Sequence, residues 1–280
     1  MKWPALRYAK ADDLDAVWSL LDAAGENAKV IAGGQSLLAS LAFRLSNPGV
    51  LIDISGVSAL KGIALDGETL RIGALTTHAQ LGRDGLVARH APLLHQAVPL
   101  IAHAAIRNRG TVGGNIAYAD PASELPACLV ALGGTVVAVS RSGERRIAAD
   151  DFFVGLFETA LEPGELVAAI EVPAARAGEL SAILEVSRRA GDYAMAGLAA
   201  WSDGRAARLA YFGVGERPVL ARAASAALIS DGVAAARAAL ASDLEPIGDQ
   251  HATAEMKLHL ASVLTGRIAP LITPPGKAAA

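Results

Sequence analysis

Apolar residues in this chain come in short blocks punctuated by glycine, proline and charge, and the period within the blocks changes along its length. Pro4–Tyr8 predicts a short opening strand. Asp12 and Asp13 then stand where a helix cap belongs. Val17, Trp18, Leu20 and Leu21 supply an apolar face through about Asp22 or Ala23. Val30–Ala32 reads as a buried strand, and Leu37, Leu38, Leu41 and Leu45 follow it at helical spacing. Val50–Ser55 is rich in β-formers. These pieces predict a small strand–helix–strand unit over residues 1 to about 56.

The next stretch changes period. Asp66-Gly67 between two strand-like runs signals a hairpin, and Thr76-Thr77 can cap a helix starting near His78. "HAPLLHQAVPLIAHAAI" has a helical pattern broken at Pro99. A glycine-rich polar stretch leads into a second helix, for which Ser123 is placed as the cap, and then into a strand at Thr135–Ser140. "ELVAAIEVP" predicts a strand ending at Pro173, and "ARAGE" a linker. From about Leu180 the reading is strands near Ala182–Ser187, Gly197–Trp201 and Ala207–Val214, followed by Ala-rich helices. The last helix, about Asp249–Thr265, is expected to stop at Gly266, with a loose "TPPGKAAA" tail. No internal repeat is visible.

Composition narrows the classes. The chain has 280 residues, 52% of them hydrophobic, which is enough for two domains with substantial cores. Aromatics make up only 4%, so Ala, Val, Leu and Ile must fill those cores. Net charge is −3, and no Lys/Arg run exceeds two residues, which argues against nucleic-acid binding. Mean hydropathy is high at +0.37. Yet the uncharged stretches are too short or too interrupted for a membrane span of ~20 apolar residues; the nearest candidate, Leu125–Ser140, is split by Gly133-Gly134. No transmembrane segment is predicted, and the excess hydrophobicity suggests surfaces buried against other subunits. The opening residues lack the apolar core of a signal peptide. The single cysteine, Cys128, excludes an internal disulfide and an iron–sulfur cluster held by this chain. It sits in an apolar run as a core residue, and a reducing, cytoplasmic location is expected.

Two glycine loops carry the candidate chemistry. In "KVIAGGQSLLASLAFRL", Gly33 and Gly34 lie at a strand-to-helix turn, where glycines admit a ligand close to the backbone and free N–H groups bind anions. In "RGTVGGNIAYADPASELP", Gly110, Gly113 and Gly114 repeat that arrangement, and Thr111 and Asn115 add a hydroxyl and an amide. Two such loops can clasp a pyrophosphate from both sides; two unrelated tight turns would leave the same trace. Rival motifs fail in detail. "GVGERP" breaks the Rossmann glycine spacing at Pro218, and no P-loop lysine is present. "GGQSLL" approaches a nucleophile elbow, but Leu38 occupies its last glycine position. His78, His95 and His103 are available as bases, but histidines in such runs read as polar rim residues. Further on, "EVSRRAGDYAMAG" offers Tyr193 as a ring for a flat ligand and Arg188 and Arg189 for an acidic one; a core tyrosine and a solvated basic pair are the plainer readings.

Taken together, "AGGQSLL", "IRNRGTVGGNIAYADPASELPA" and "SRRAGDYAMAG" strongly resemble the FAD-binding medium subunit of the molybdenum hydroxylases, the carbon monoxide dehydrogenase and xanthine dehydrogenase family. The resemblance spans nearly the whole chain in order. It implies an α+β fold: a vanillyl-alcohol-oxidase-type FAD-binding domain over residues 1–174, in two subdomains of about 1–56 and 57–174, then a small α/β C-terminal domain over residues 178–280. It implies FAD contacts at Ala32, Gly33, Gly34, Gln35, Ser36 and Leu37, and at Thr111, Val112, Gly113, Gly114 and Asn115. Glu124 stands where the family often has Asp, Ile101 and Val167 match apolar positions lining the cofactor, and Tyr193 matches an aromatic position. Some members carry Lys where Leu184 stands here.

The function so implied is electron transfer. A molybdenum-cofactor large subunit would oxidise the substrate, an iron–sulfur small subunit would relay electrons to FAD, and the flavin would pass them to an external acceptor; the expected assembly is a dimer of heterotrimers. No catalytic acid, base or metal ligand in this chain is required. A self-sufficient flavin oxidase and a flavin-free structural subunit are the alternatives.

Overall fold

A computed structural model describes residues 5–273. Strand β1 (Arg7–Lys10) leads into helix α1 (Leu14–Ala24), capped by Asp13, whose carboxylate accepts from the Ala16 N–H at 2.8 Å. Strand β2 (Ala28–Ile31), the short helix α2 (Leu37–Ala42) and strand β3 (Val50–Asp53) complete a three-stranded parallel sheet in the order β1-β3-β2. The expected opening strand is shifted toward Lys10, and Pro4 lies outside the described residues. Arg44, with φ 61°, ends α2 early, so Leu45 does not share its apolar face and is 80% exposed.

A hairpin of β4 (Ile63–Asp66) and β5 (Thr69–Gly73) turns at Gly67, whose φ of 57° suits glycine. Five short helices follow: α3 (His78–Leu81), α4 (Gly85–His90), α5 (Pro92–Ala97), α6 (Ala104–Arg107) and α7 (Val112–Tyr118). Helix α8 (Glu124–Ala131) precedes β6 (Thr135–Ser140) and β7 (Gly143–Ala148). Helix α9 (Ala149–Phe152) and the small hairpin of β8 (Phe153–Gly155) and β9 (Glu158–Thr159) lead to β10 (Leu166–Pro173). The second sheet is antiparallel, in the order β4-β5-β10-β6-β7. Its two faces belong to different cores. On β6, Val136 and Ala138 pack with α5, α7 and α8, whereas Val137 and Val139 pack with the first sheet. A bulge between Val167 and Ala169 shifts the alternation on β10, leaving Val167 on the helical side.

The last third forms a four-stranded antiparallel sheet of β11 (Leu180–Ser187), β12 (Ala194–Ser202), β13 (Ala207–Phe212) and β14 (Val219–Leu220). Helices α10 (Arg222–Ser230), α11 (Gly232–Asp243) and α12 (Ala254–Ile272) pack on one face with Leu198, Leu209 and Tyr211. The other face turns Ile183, Ala199 and Phe212 into the core shared with α5 and α8. Helix α12 does not stop at Gly266: a Cβ there would fall 1.7 Å from an Arg237 guanidinium nitrogen, so that glycine serves close packing of α11 on α12 rather than a helix end.

Candidate functional site

The first glycine loop leaves β2 at Ile31 and enters α2 at Leu37. Gly34 has φ 74°, a conformation that favours glycine. The Gln35 amide folds back onto the Gly33 carbonyl at 2.9 Å. Among the described residues, the N–H groups of Gly33, Gly34, Gln35 and Ser36 meet no protein acceptor. Four neighbouring donors without partners form a surface for an anion.

The second loop is held from behind. Gly110 donates to the Ile106 carbonyl at 2.7 Å and accepts from His78 N–H at 2.9 Å; Val112 donates to Thr76 and Gly113 to Ala74. Thr111 caps α7 through a 3.2 Å bond from the Gly114 N–H. The two loops touch directly: a Cβ on Gly33 would lie 2.1 Å from the Arg109 carbonyl oxygen. One on Gly113 would lie 2.3 Å from the Ala74 Cβ. The Cβ side of each of these two glycines is therefore filled by packing, Gly33 against the second loop and Gly113 against Ala74 after β5. Gly114 differs. A Cβ there would meet Thr111 Oγ1 at 2.8 Å and then only Ala32, at 4.0 Å, across the gap between the loops.

A cleft of ≈ 640 Å³ opens on the loops and brings Ala32, Gly33 and Thr111 together, with Thr76 and Thr77 on its wall. Lys61, Arg83 and Arg109 also line it. Sequence reasoning missed these cations because they are scattered singly. Gln35, Ser36 and Leu37 continue from Gly34 into α2, while Val112 and Gly113 are buried behind the second loop. Ile101 and Val167 are buried in the central core. Ser123 does not cap α8; its hydroxyl instead accepts from the Asn115 amide at 2.9 Å. That bond fixes the Asn115 side chain and leaves its Oδ1 buried without a partner. His78 is a core residue, not a rim one. Burial, then the Arg107 charge, pushes its pKa down to about 4.

Glu124 and Tyr193 belong to an acidic cluster with Asp120 and Glu185, and Asn115 is tied to Ser123 next to Glu124. Burial pushes Glu124 up to about 8, with Glu185 and Asp120 adding repulsion. Burial likewise raises Glu185 to about 7, raises Asp120, and lifts Tyr193 to about 12. The Tyr193 hydroxyl bonds Asp120 while much of the residue remains exposed. Asp120 and Glu185 lie inside the quoted motifs, but only folding brings them beside Glu124.

The fold and these loops define a flavoprotein of two parts, an FAD-binding domain and a distinct C-terminal domain. Residues 4–175 match the family described as "FAD binding domain in molybdopterin dehydrogenase", and residues 181–270 match "CO dehydrogenase flavoprotein C-terminal domain". The chain belongs to the FAD-binding medium subunits of the molybdenum hydroxylase family. It is 38% identical over 278 residues to the 6-hydroxypseudooxynicotine dehydrogenase complex subunit alpha of Paenarthrobacter nicotinovorans, covering 95% of this chain and 94% of that one. It superposes on a chain of carbon monoxide dehydrogenase from Hydrogenophaga pseudoflava with a TM-score of 0.93, at 35% identity, covering 97% and 98% of the two chains. For quinoline 2-oxidoreductase from Pseudomonas putida 86 the TM-score is 0.90, at 37% identity and 96% and 97% coverage. The cofactor is FAD, and the residues present fit it. The unpartnered N–H groups and Asn115 Oδ1 supply polar contacts, and the open side of Gly114 leaves room beside them.

Proposed function

We propose that this chain carries electrons from the iron–sulfur clusters of a small partner subunit to an external acceptor, while a molybdenum-cofactor large subunit oxidises the substrate. FAD exchanges one or two electrons at a time, which suits such a junction. The observation that carries the reading is the set of unpartnered N–H groups from Gly33 to Ser36, in the loop that follows Ala32, beside the open side of Gly114. In this reading Ala32–Leu37 and Thr111–Asn115 clasp the pyrophosphate, and Ile101, Glu124, Val167 and Tyr193 surround the rest of the cofactor. The domain limits are 1–174, divided near residue 56, and 178–280. The first domain is of the vanillyl-alcohol-oxidase type, and the assembly is a dimer of heterotrimers. Exposed apolar side chains support subunit contacts: Phe43 is 65% exposed, Leu156 53% and Phe157 51%.

The test uses the purified full chain. Acid denaturation should release FAD into the supernatant, since neither loop holds a His or Cys for a covalent link. The loaded chain, kept anaerobic, should then resist reduction by a panel of hydroxylase substrates until the partners are added. Rapid flavin reduction by any substrate without partners would overturn the electron-transfer reading in favour of a self-sufficient oxidase.

A further inference from the structure

We infer that Glu185, on the first strand of the C-terminal domain, stores a proton against Glu124 and exchanges it with the flavin as the cofactor is reduced and reoxidised. The inference rests on the FAD reading above.

Strand alternation puts Glu185 at the domain boundary. On β11, Ala182 packs toward α10–α12, while Ile183 packs into the core shared with α5 and α8. Glu185 is the next residue on the Ile183 face. Its partner across the sheet is Gly197, and beyond that Phe212. The Phe212 ring lies over Gly197, where a Cβ would fall 2.1 Å from its Cζ. No side chain in that row offers a polar group, and Glu185 Oε2 is buried without a partner. Facing it, the first turn of α8 presents Glu124, which is 8% exposed and hydrogen-bonds only its own N–H. Asn115 Oδ1, in the second glycine loop, is the other unpartnered atom nearby along the motif.

Among the described residues, no basic side chain acts on either carboxyl. The neighbouring titratable groups are all acidic: Asp120 before α8, Tyr193 and Tyr118 beside Asp120, and Cys128 one turn along α8. From α5, the Gln96 amide is spent on the Ser181 carbonyl at 3.2 Å. A carboxyl oxygen buried without a partner in an apolar row, as Glu185 Oε2 is, favours the protonated form, and the Glu185 charge in turn helps keep the proton on Glu124. Their raised values, about 8 and about 7, bracket neutral pH.

The proton balance is closed. Two electrons from the iron–sulfur donor and two protons give the fully reduced cofactor. Glu185 supplies one proton and becomes a carboxylate, and water supplies the other. Reoxidation sends two electrons to the acceptor, one proton back to Glu185 and one to water.

The experiment measures the flavin midpoint potential of the FAD-loaded full chain against pH, for wild type, E185Q and E185D. One proton per two electrons is a tenfold change per pH unit, about 30 mV for a two-electron couple. Wild type and E185D should therefore fall less steeply than E185Q by about that amount per pH unit around neutrality, because the Glu185 proton is already on the protein and only one proton is drawn from solution, against two in E185Q. In the FAD-free chain, infrared spectroscopy should show a protonated-carboxyl band titrating near neutral pH that loses intensity in E185Q. Equal slopes in wild type and E185Q overturn the proposal. Should E185Q not fold, a wild-type chain lacking any carboxyl band that titrates near neutrality overturns it as well. A folded wild type that binds no FAD overturns the cofactor reading instead.

Discussion

Gly33 and Gly114, which the proposed reading puts in one FAD clasp, should fail differently when each is replaced by alanine. At Gly33 the new Cβ would start 2.1 Å from the Arg109 carbonyl oxygen and 2.9 Å from the Gly110 Cα. An ordinary carbon–oxygen contact is about 3.3 Å, so the loops must part by about 1 Å. Arg109–Gly110 cannot yield freely, because Gly110 is tied to Ile106 at 2.7 Å and to His78 at 2.9 Å. Stretching those two bonds costs roughly 2 kcal/mol, at about 1 kcal/mol net each. For a chain of this size that lowers the melting temperature by about 5 °C. At Gly114 the nearest atom is the Thr111 hydroxyl, a side chain that can rotate. Losing that cap costs about 1 kcal/mol, and replacing a helical glycine returns about 1 kcal/mol, so stability should barely change. The methyl would instead narrow the gap toward Ala32 and weaken FAD about tenfold, or about 1.4 kcal/mol. Differential scanning fluorimetry of the FAD-free chains and flavin titration separate the two effects. Wild-type FAD affinity in G114A, or an unchanged melting temperature in G33A, would refute the assignment of one glycine to the ligand and the other to packing.

Two further outcomes follow from the electrostatics. Glu124 keeps its proton in the folded chain up to about pH 8, whereas its ordinary value is 4.5, so between those limits the folded state binds more protons than the unfolded one. Stability of the FAD-free chain should therefore be greatest at the acid end of that window and fall as pH rises through it, by on the order of 4 kcal/mol. Denaturant melts should show E124Q flattening the dependence, and a wild-type stability that rises with pH would contradict the burial of this acid. Asp150 joins the two domains, accepting from Arg208 at 2.6 Å and Arg222 at 2.7 Å, while Arg208 also donates to the Val130 carbonyl at 2.8 Å. D150N should cost about 1 kcal/mol, and R208K should not restore the join, because lysine lacks the planar fork that reaches both acceptors. A thermal melt of R208K equal to wild type would tell against that geometry.

The local chemistry of this chain was legible in its sequence. Asp13 caps α1, Thr77 caps α3, Gly67 turns the β4–β5 hairpin, and Thr135–Ser140 is β6, because caps, tight turns and strand periods depend on residues a few positions apart. Both glycine loops announced themselves in the same way. What the sequence could not carry were decisions taken between distant segments. Ser123 looked like a cap, yet its hydroxyl goes to Asn115. Gly266 looked like a helix end, yet it makes room for Arg237. Gly33 and Gly114 are alike as letters, and only the approach of Arg109 to one and the open gap beside the other tell them apart. The approach of Glu185 to Glu124 likewise appears only when the four-stranded sheet packs on α8. Burial and charge repulsion depend on which surfaces meet, and one-dimensional spacing does not encode that meeting.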